Sequence, residues 1–448
     1  MTSVSRAARR EGGVGRLEQF RLALQNVVRE ACELTVGLDK PIAGWRTVTR
    51  QADGALSAHT EPRVDLSYLT HRVVDELRGS RVMSDLIACV KENAHLSQIL
   101  LVEPTGSPVA AADEETWISG HALVAPFLGA YFHRAPVFSF EEACFEATFE
   151  DLAVDLRPEG HEVVVTSPLV NVGMSVDEIP IAAGVRVRRI LPEELELFLN
   201  MGMPWTPMPM PPFYVVGRIR CALERRMTSA SRDPVRLDAY GPQDTMIVDL
   251  FRLHTSDPVF ILFTTIREYR ILFGPSLHVN FPGQDAADII QTPKAIDAET
   301  ASEIVALWEA LTRGPNSSLV EVALRRFGAG LGRQSSEDRL IDYWIGLESL
   351  FLRESTELRF RAALRIAHLL GSTSVERLKT FDDVKTSYDA RSAVVHGESH
   401  KSRKSGKMMD VEGIAKCTGT MLRVSLLKIL NSEHPYDPTA LDKELLSR

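Results

Sequence analysis

The sequence lacks the features of a membrane or secreted protein. No stretch approaches the roughly 18 continuous apolar residues of a membrane-spanning helix, and no apolar run of signal-peptide length follows the basic residues 1–16. Five scattered cysteines without a CxxC spacing argue against a disulfide framework and against a zinc site; they are Cys32, Cys89, Cys144, Cys221 and Cys417. We therefore expect a cytoplasmic protein with reduced thiols, no membrane association, and no metal or cofactor.

Familiar catalytic motifs and an excess of positive charge are also missing. The chain has no GxxxxGK[ST] phosphate loop, no HExxH zinc motif and no internal repeat. Its net charge is −9, which is unfavourable for a dedicated nucleic-acid binder. The charge is uneven, however, because residues 331–448 carry a net charge near +2 while the remainder carries about −11. A site for a polyanion is therefore expected in the C-terminal part.

The sequence has more than enough residues for one domain, since 448 residues predict two or three folding units. Residues 1–110 are predicted to be mainly helical, because residues 17–36 and 68–93 have apolar side chains at helical spacing. The second of these segments is interrupted at Gly79, which predicts a helical pair. The segment between the two, residues 51–62, is typical of a loop.

Residues 111–290 have a mixed pattern and predict an α+β region, a candidate sensor or partner-binding unit. Three segments rich in β-branched residues predict strands, HEVVVTSPLVNV, GVRVRRI and FYVVGRIRCAL, and LPEELELFLN predicts a helix. Residues 245–274 predict a helix or strand, a turn at Ser256, Asp257 and Pro258, and two further strands. The proline-dense residues 201–214 predict an extended loop, with a proline-rich ligand as the alternative.

From residue 295 the strand patterns stop. Residues 295–448 contain successive amphipathic segments of helical length separated by Gly, Asn, Ser and Pro. They predict an all-α domain of five or six helices. The predicted fold class is therefore α+β, with a mixed N-terminal region followed by a C-terminal helical bundle, and the boundary falls near residues 291–300.

Two predicted helices of this bundle carry charges on their apolar faces. Glu348 lies within the apolar stripe of EDRLIDYWIGLESLFL, and Arg391 continues the row formed by Val384 and Tyr388. A carboxylate in such a position needs a partner, so we expect a buried or half-buried ion pair between Glu348 and Arg391 that fixes helix packing. His396 follows five residues later, about 140° around the helix and about 7.5 Å along it. The two side chains then converge only if the helix frays or a second copy contributes, and the spacing favours a dimer.

Arginine and histidine in this segment suit RNA chemistry. Metal-free cleavage of a phosphodiester by its own 2′-hydroxyl needs a group that titrates near neutrality and a cation beside the phosphate. The following segment adds candidate phosphate contacts, unless it is only a solvated basic turn; these are His400, Lys401, Arg403, Lys404 and Lys407. Arg361, Arg365 and His368 share another helix face, which we expect to be solvated.

The segments EDRLIDYWIGLESLF, LRFRAALRIAHLLG and SYDARSAVVHGE resemble, in order and spacing, the Apea-like branch of the HEPN superfamily. A helical domain of this branch ends in a Tyr-x-x-Arg-Ser-x-x-x-His-Gly signature, and the resemblance covers roughly residues 295–432. It implies a helical bundle that dimerises. It also implies Arg391 and His396 as catalytic residues, with Tyr388, Ser392 and the earlier Glu348 in support. Ser392 departs from the Asn, Asp or His that often follows the arginine in active members.

Many HEPN proteins are metal-independent ribonucleases, so the resemblance implies an endoribonuclease of bacterial defence or stress response. Arg391 would bind the scissile phosphate and His396 would act as acid and base, with RNA as the substrate. The N-terminal region would then sense an unidentified trigger or partner. The alternative is a non-catalytic HEPN dimerisation or ligand-binding module. A small-molecule enzyme in the α+β region has no motif behind it, although His121, His161 and His254 are available.

Overall fold

The computed structural model describes most of the chain; the residues described are 4–51, 55–102, 108–157, 161–200, 217–229, 241–268, 270–273, 276–279, 292–397 and 410–446. The fold is mixed α+β, with a helical N-terminal layer, a central antiparallel sheet and a helical C-terminal region. None of the helices in these residues is long and apolar enough to cross a membrane.

The N-terminal layer is a group of helices around one apolar core. They are α1 (Val4–Gly37), α2 (Leu66–Leu77), α3 (Arg81–Glu92), α4 (Ala94–Leu100), α5 (Glu114–Trp117), a π-helical turn (Ile118–Ala122), α6 (Val124–Arg134) and α7 (Glu142–Asp155). The predicted break is present, because α2 and α3 are separated at Gly79, whose φ of 74° suits glycine. Helices of this layer continue to Asp155, well past residue 110.

Part of the segment that was predicted to be a loop, residues 51–62, belongs to a β-hairpin. Strand β1 (Ile42–Arg50) pairs antiparallel with β2 (Leu56–Val64), so the assignment of residues 51–62 as a loop is wrong from Leu56 onward. The hairpin packs on a helix of the central region, where the backbone N–H of Val48 donates to the Glu196 carboxylate at 2.7 Å. Its strands have polar side chains on both faces, and therefore lack the period-two alternation that identifies a strand.

The central sheet has seven strands, and every pairing in it is antiparallel. Its order is β10, β9, β3, β7, β6, β5, with β8 also on β3. The strands of this region are β3 (His161–Val170), β4 (Val172–Met174), β5 (Glu178–Ala182), β6 (Val185–Arg189), β7 (Ile219–Ser229), β8 (Phe260–Ile261), β9 (Phe263–Arg267) and β10 (Ser276–Val279). The helices are α8 (Pro192–Asn200) and α9 (Gly241–Thr255). The α+β prediction for this region is confirmed, while residues 201–214 lie outside the described residues.

The C-terminal region is helical, as predicted. After β11 (Lys294–Ile296) come α10 (Ala298–Arg313), α11 (Ser317–Leu331), α12 (Ser336–Phe351), α13 (Leu358–Leu370), α14 (Ser374–Val395), α15 (Val411–Leu430) and α16 (Pro438–Leu446). The first six correspond to the amphipathic segments of the sequence. The seventh, α16, was not predicted, because a nine-residue helix that begins with proline gives too short a periodic pattern.

The helical region and the sheet share one apolar core. Leu250 and Phe251 of α9 belong to the same buried cluster as Leu324 and Phe327 of α11. Strand β11 pairs in parallel with β4, residue 294 opposite residue 172. The chain therefore passes residue 295 without a break in its packing, and the assignment of separate domains on either side stays a prediction.

Arg365 corrects one expectation about the bundle. The sequence placed Arg361, Arg365 and His368 on a solvated face, but the Arg365 side chain is 0% exposed. Its guanidinium donates to both carboxylate oxygens of Glu354, at 2.8 and 2.9 Å, and to both of Asp442, at 2.7 and 3.0 Å. A fifth bond goes to the backbone carbonyl of Phe351. Each nitrogen is satisfied, so this buried cation ties α13 to α16 and to the loop after α12.

Arg365 changes the pKa values of the two carboxylates that it contacts. The hydrogen bond from Arg365 lowers the pKa of Glu354 to about 2 and also lowers the pKa of Asp442. A carboxyl group with a depressed folded pKa stabilises the fold above its unfolded pKa, and the contribution disappears as the pH falls toward the folded value. For Glu354 this window extends from about pH 4.5 down to about pH 2.

We predict that Arg365→Met lowers the free energy of unfolding at pH 7 by about 2–4 kcal/mol, because two carboxylates lose their cation. Between pH 4.5 and pH 2 the free energy of unfolding of the variant also falls less than that of wild type. Urea unfolding followed by tryptophan fluorescence measures both effects. Arg359→Met is the matched control, since this partly exposed arginine of α13 has the exposed Asp389 as its ion-pair partner within the described residues. Equal losses in the two variants would contradict the role given to Arg365.

Candidate functional site

The candidate site lies between α12 and α14. Helix α12 begins at the N-cap Ser335, whose hydroxyl accepts a bond from the Asp338 N–H, and its first turn is acidic. Its buried positions include Leu340, Trp344 and Leu347 at helical spacing. Glu348 is next to this stripe and lies at the side that faces α14. The apolar stripe therefore fixes α12 in the bundle and leaves one carboxylate at its margin.

Helix α14 is long and has a defined start and end. Thr373 and Glu376 form a reciprocal capping box at its N-terminus. The helix ends at His396, and Gly397 follows with φ of 65°. Glycine adopts this left-handed conformation without the steric penalty of other residues. His396 and Gly397 therefore terminate α14.

Arg391 and Glu348 form the expected ion pair, with 3.5 Å between Nη2 of Arg391 and Oε1 of Glu348. About a quarter of each side chain is exposed, 25% for Arg391 and 27% for Glu348. The Nε of Arg391 is buried and has no hydrogen-bond partner among the described residues. The pair is therefore long and half-buried, and the guanidinium retains unused hydrogen-bonding capacity.

Tyr388 and Ser392, the two supporting residues of the signature, have structural contacts. The Tyr388 ring packs edge-on against Trp344, with ring centroids 5.1 Å apart. Ser392 is half-buried, and its backbone carbonyl accepts the N–H of His396 at 3.1 Å. Tyr388 thus holds α14 against α12, and Ser392 belongs to the last turn before the helix ends.

A buried hydrogen-bond chain joins α12, α14 and α15, and the sequence did not reveal it. The indole N–H of Trp344 donates to the Ser387 hydroxyl at 2.8 Å. Thr418 donates to the carbonyl of Ile414, so its oxygen accepts the proton of Ser387 at 2.5 Å. The sequence contained one indication of it, since Ser387 is three residues after Val384 and therefore lies on the same face of α14. The chain fixes the helix that carries Arg391.

His396 is exposed, and α14 is regular as far as Val395. Within one chain Arg391 and His396 therefore point about 140° apart around the helix axis. The predicted phosphate contacts lie outside the described residues; these are His400, Lys401, Arg403, Lys404 and Lys407. The structure thus brings Glu348, Arg391 and Tyr388 together and leaves His396 at the open end of the helix.

The other candidate residues do not form a second centre. His254 pairs with Glu303 at 2.6 Å, and the ring of His121 lies 5.7 Å from that of Trp117. All five cysteines are free. In the part of the chain that the structure describes, no group of three His, Cys, Asp or Glu side chains could hold a metal ion.

Comparisons of the chain with models of known protein families, with curated proteins and with solved structures gave no match. The geometry between α12 and α14 and the chemistry of its side chains are therefore the basis for a functional proposal.

We predict that Ser387→Ala destabilises the protein by about 1–3 kcal/mol, because the buried indole N–H of Trp344 loses its acceptor. The midpoint of urea unfolding measures the loss. Thr386→Ala is the neighbouring control: this exposed hydroxyl bonds only to the carbonyl one turn earlier, so we expect a change within about 0.5 kcal/mol. A Ser387→Ala variant as stable as wild type would show that the chain does not hold α14.

Proposed function

We propose that the protein is a metal-independent endoribonuclease of the HEPN type. The observation that supports this proposal is the half-buried Arg391, whose pair with Glu348 is as long as 3.5 Å, on the same helix end as the exposed His396. A guanidinium with unused donors suits a phosphate, and an exposed imidazole suits proton transfer. The resemblance of the C-terminal segments to the Apea-like branch supports the same assignment.

The reaction requires no group beyond these side chains and the RNA. The 2′-hydroxyl loses its proton to the imidazole of His396 and attacks the adjacent phosphorus, which expels the 5′-oxygen of the next nucleotide. The imidazolium then returns a proton to the leaving oxygen. Arg391 donates hydrogen bonds to the phosphate oxygens, where negative charge accumulates in the transition state. Glu348 orients the guanidinium, and its long ion pair leaves most donors free for phosphate.

The proposed enzyme is a homodimer. One regular helix does not bring Arg391 and His396 to the same phosphate, so a second copy supplies the missing partner across a two-fold axis. The basic residues between 400 and 407 guide the RNA backbone toward this site. Residues 1–290 recognise the trigger or partner of a bacterial defence or stress response.

We predict that the purified protein cleaves labelled total RNA or tRNA in the presence of a chelator, because neither proton transfer nor phosphate binding uses a metal. Arg391→Ala and His396→Ala each reduce cleavage by about 100-fold or more, the contribution typical of a lost acid–base or electrostatic group. Gel electrophoresis of the products measures the rates.

Two matched variants control for the loss of a charge or a ring, Arg313→Ala at the exposed end of α10 and His71→Ala on the exposed face of α2. Both retain wild-type cleavage, and all variants keep the oligomeric state of wild type in sedimentation. Fragments that persist in Arg391→Ala and His396→Ala would come from a contaminating nuclease. They would contradict the proposal, as would wild-type protein that leaves all RNA intact.

A non-catalytic HEPN dimerisation or ligand-binding module is the second candidate. One observation favours it, since Arg391 already pairs with Glu348 and His396 occupies the C-cap position of α14. In that case the pair serves helix packing and the histidine serves helix termination. The energetic coupling between Arg391 and Glu348 separates the two functions.

We predict a coupling energy below about 1 kcal/mol between Arg391 and Glu348, because the pair is long and partly exposed. A double-mutant cycle with Arg391→Met, Glu348→Gln and the combined variant measures it from urea unfolding. A coupling of about 3 kcal/mol or more, as in a buried structural pair, would favour the non-catalytic module.

A further inference from the structure

A cavity of about 650 Å³ lies between the helical bundle and the turn after α9. Ser256 and Pro258 of this turn form one side, and residues of α11, α12 and α15 form the others. Pockets of about 300–1,000 Å³ are typical of sites for small molecules. The size therefore suits a compact ligand that contacts both the sheet region and the bundle.

The lining of this cavity is rich in positive charge. Four cationic side chains and one carboxylate line it, namely Arg333, Arg339, Lys416, Arg423 and Glu412. Arg333 is paired with the buried Asp342, but the same carboxylate also binds Arg326. One negative charge thus serves two arginines, and the excess charge at the cavity is positive.

Three of the four cations, Arg339, Lys416 and Arg423, have no carboxylate partner within the described residues. Arg339 makes a hydrogen bond to the backbone carbonyl of Arg333, while its Nε is buried without any partner. Lys416 is exposed on α15 and forms no ion pair with any described carboxylate. Because the Nε of Arg339 is enclosed by the protein, an anion in the cavity would pair with this arginine through its terminal nitrogens.

Arg423 contributes positive charge from the inner end of the cavity. It donates to the carbonyls of Leu253 and His254, at 2.5 and 2.9 Å, and so caps the C-terminus of α9. Burial lowers the pKa of this arginine, and within the described residues it has no carboxylate partner. The field of Arg423 therefore remains available to a ligand.

Another part of the lining is apolar and includes Tyr343 and Phe327, although only 3% and 2% of these residues are exposed. The Tyr343 ring packs between two glycines, and a Cβ on Gly330 or Gly419 would come within 2.3 or 2.6 Å of ring carbons. Phe327 stacks beside it at 6.0 Å. Burial raises the pKa of Tyr343 to about 12, so the phenol is neutral. This part of the lining suits the apolar part of a ligand.

We propose that this cavity binds a small organic phosphate. The phosphate contacts Arg339 and Lys416 within the field of Arg423, and the organic part lies against the apolar lining that Leu331 and Pro258 form with the margins of Tyr343 and Phe327. The site is independent of the proposed ribonuclease chemistry, because Tyr343 and Glu348 lie about 140° apart on α12. A ligand bound in this cavity contacts both the sheet region and the bundle, so we expect binding to stabilise the contact between them.

The test is calorimetric titration of the full chain with adenosine monophosphate and with phenyl phosphate, each compared with inorganic phosphate and with adenosine or phenol. We expect saturable binding of at least one ester that is about tenfold tighter than that of inorganic phosphate, since an apolar contact adds to the ionic one. The parent adenosine or phenol binds at least about tenfold more weakly than its ester.

Arg339→Gln and Lys416→Gln each weaken ester binding by about tenfold or more, the loss expected for one charged hydrogen bond. Arg313→Gln on α10 and Lys379→Gln on α14 are exposed controls that leave it unchanged. Unaltered melting curves of the free variants show that they are folded. Absence of binding by both esters, equal binding of inorganic phosphate, or insensitivity to both cavity variants would overturn the proposal.

Discussion

The packing of α12 is the constraint on which the functional part of this structure depends. Trp344 is fully buried, and its N–H begins the hydrogen-bond chain that passes through Ser387 to Thr418. The same helix presents Glu348 to α14 and Tyr343 to the cavity beside α15. One buried helix therefore sets the positions of two chemically different surfaces. A shift of α12 would move both, because densely packed interiors transmit displacement.

The arginines of the bundle differ in how completely carboxylates compensate their charge. Arg365 is fully enclosed, with five hydrogen bonds and two carboxylates. Arg391 has one distant carboxylate and an unsatisfied Nε, and Arg339 has an unsatisfied Nε and no carboxylate partner in the described part of the chain. The charges of Arg391 and Arg339 are therefore less completely compensated than that of Arg365.

Much of the fold could be predicted from the sequence, because apolar residues that recur with a period of 3.6 residues indicate amphipathic helices. The pairing of Glu348 with Arg391 followed from two charges in apolar rows. The burial of Arg365 could not be foreseen, because its partner Asp442 is 77 residues away on a helix with a weak pattern. The β1–β2 hairpin was not predicted, because its strands do not alternate apolar and polar side chains. The cavity was not predicted, because residues from four separate segments of the chain form it. Local periodicity specifies elements, whereas long-range charge pairs and cavities arise only from their assembly.

The distance along the chain between Arg365 and Asp442 also has a temporal consequence. A ribosome that adds roughly 5–20 residues per second needs about 4–15 s to synthesise the intervening segment. During that interval Arg365, which is buried in the folded protein, has Glu354 as a partner but not yet Asp442. The last layer of the bundle therefore cannot close while the chain emerges, and its apolar helices are open to chaperones until α16 arrives.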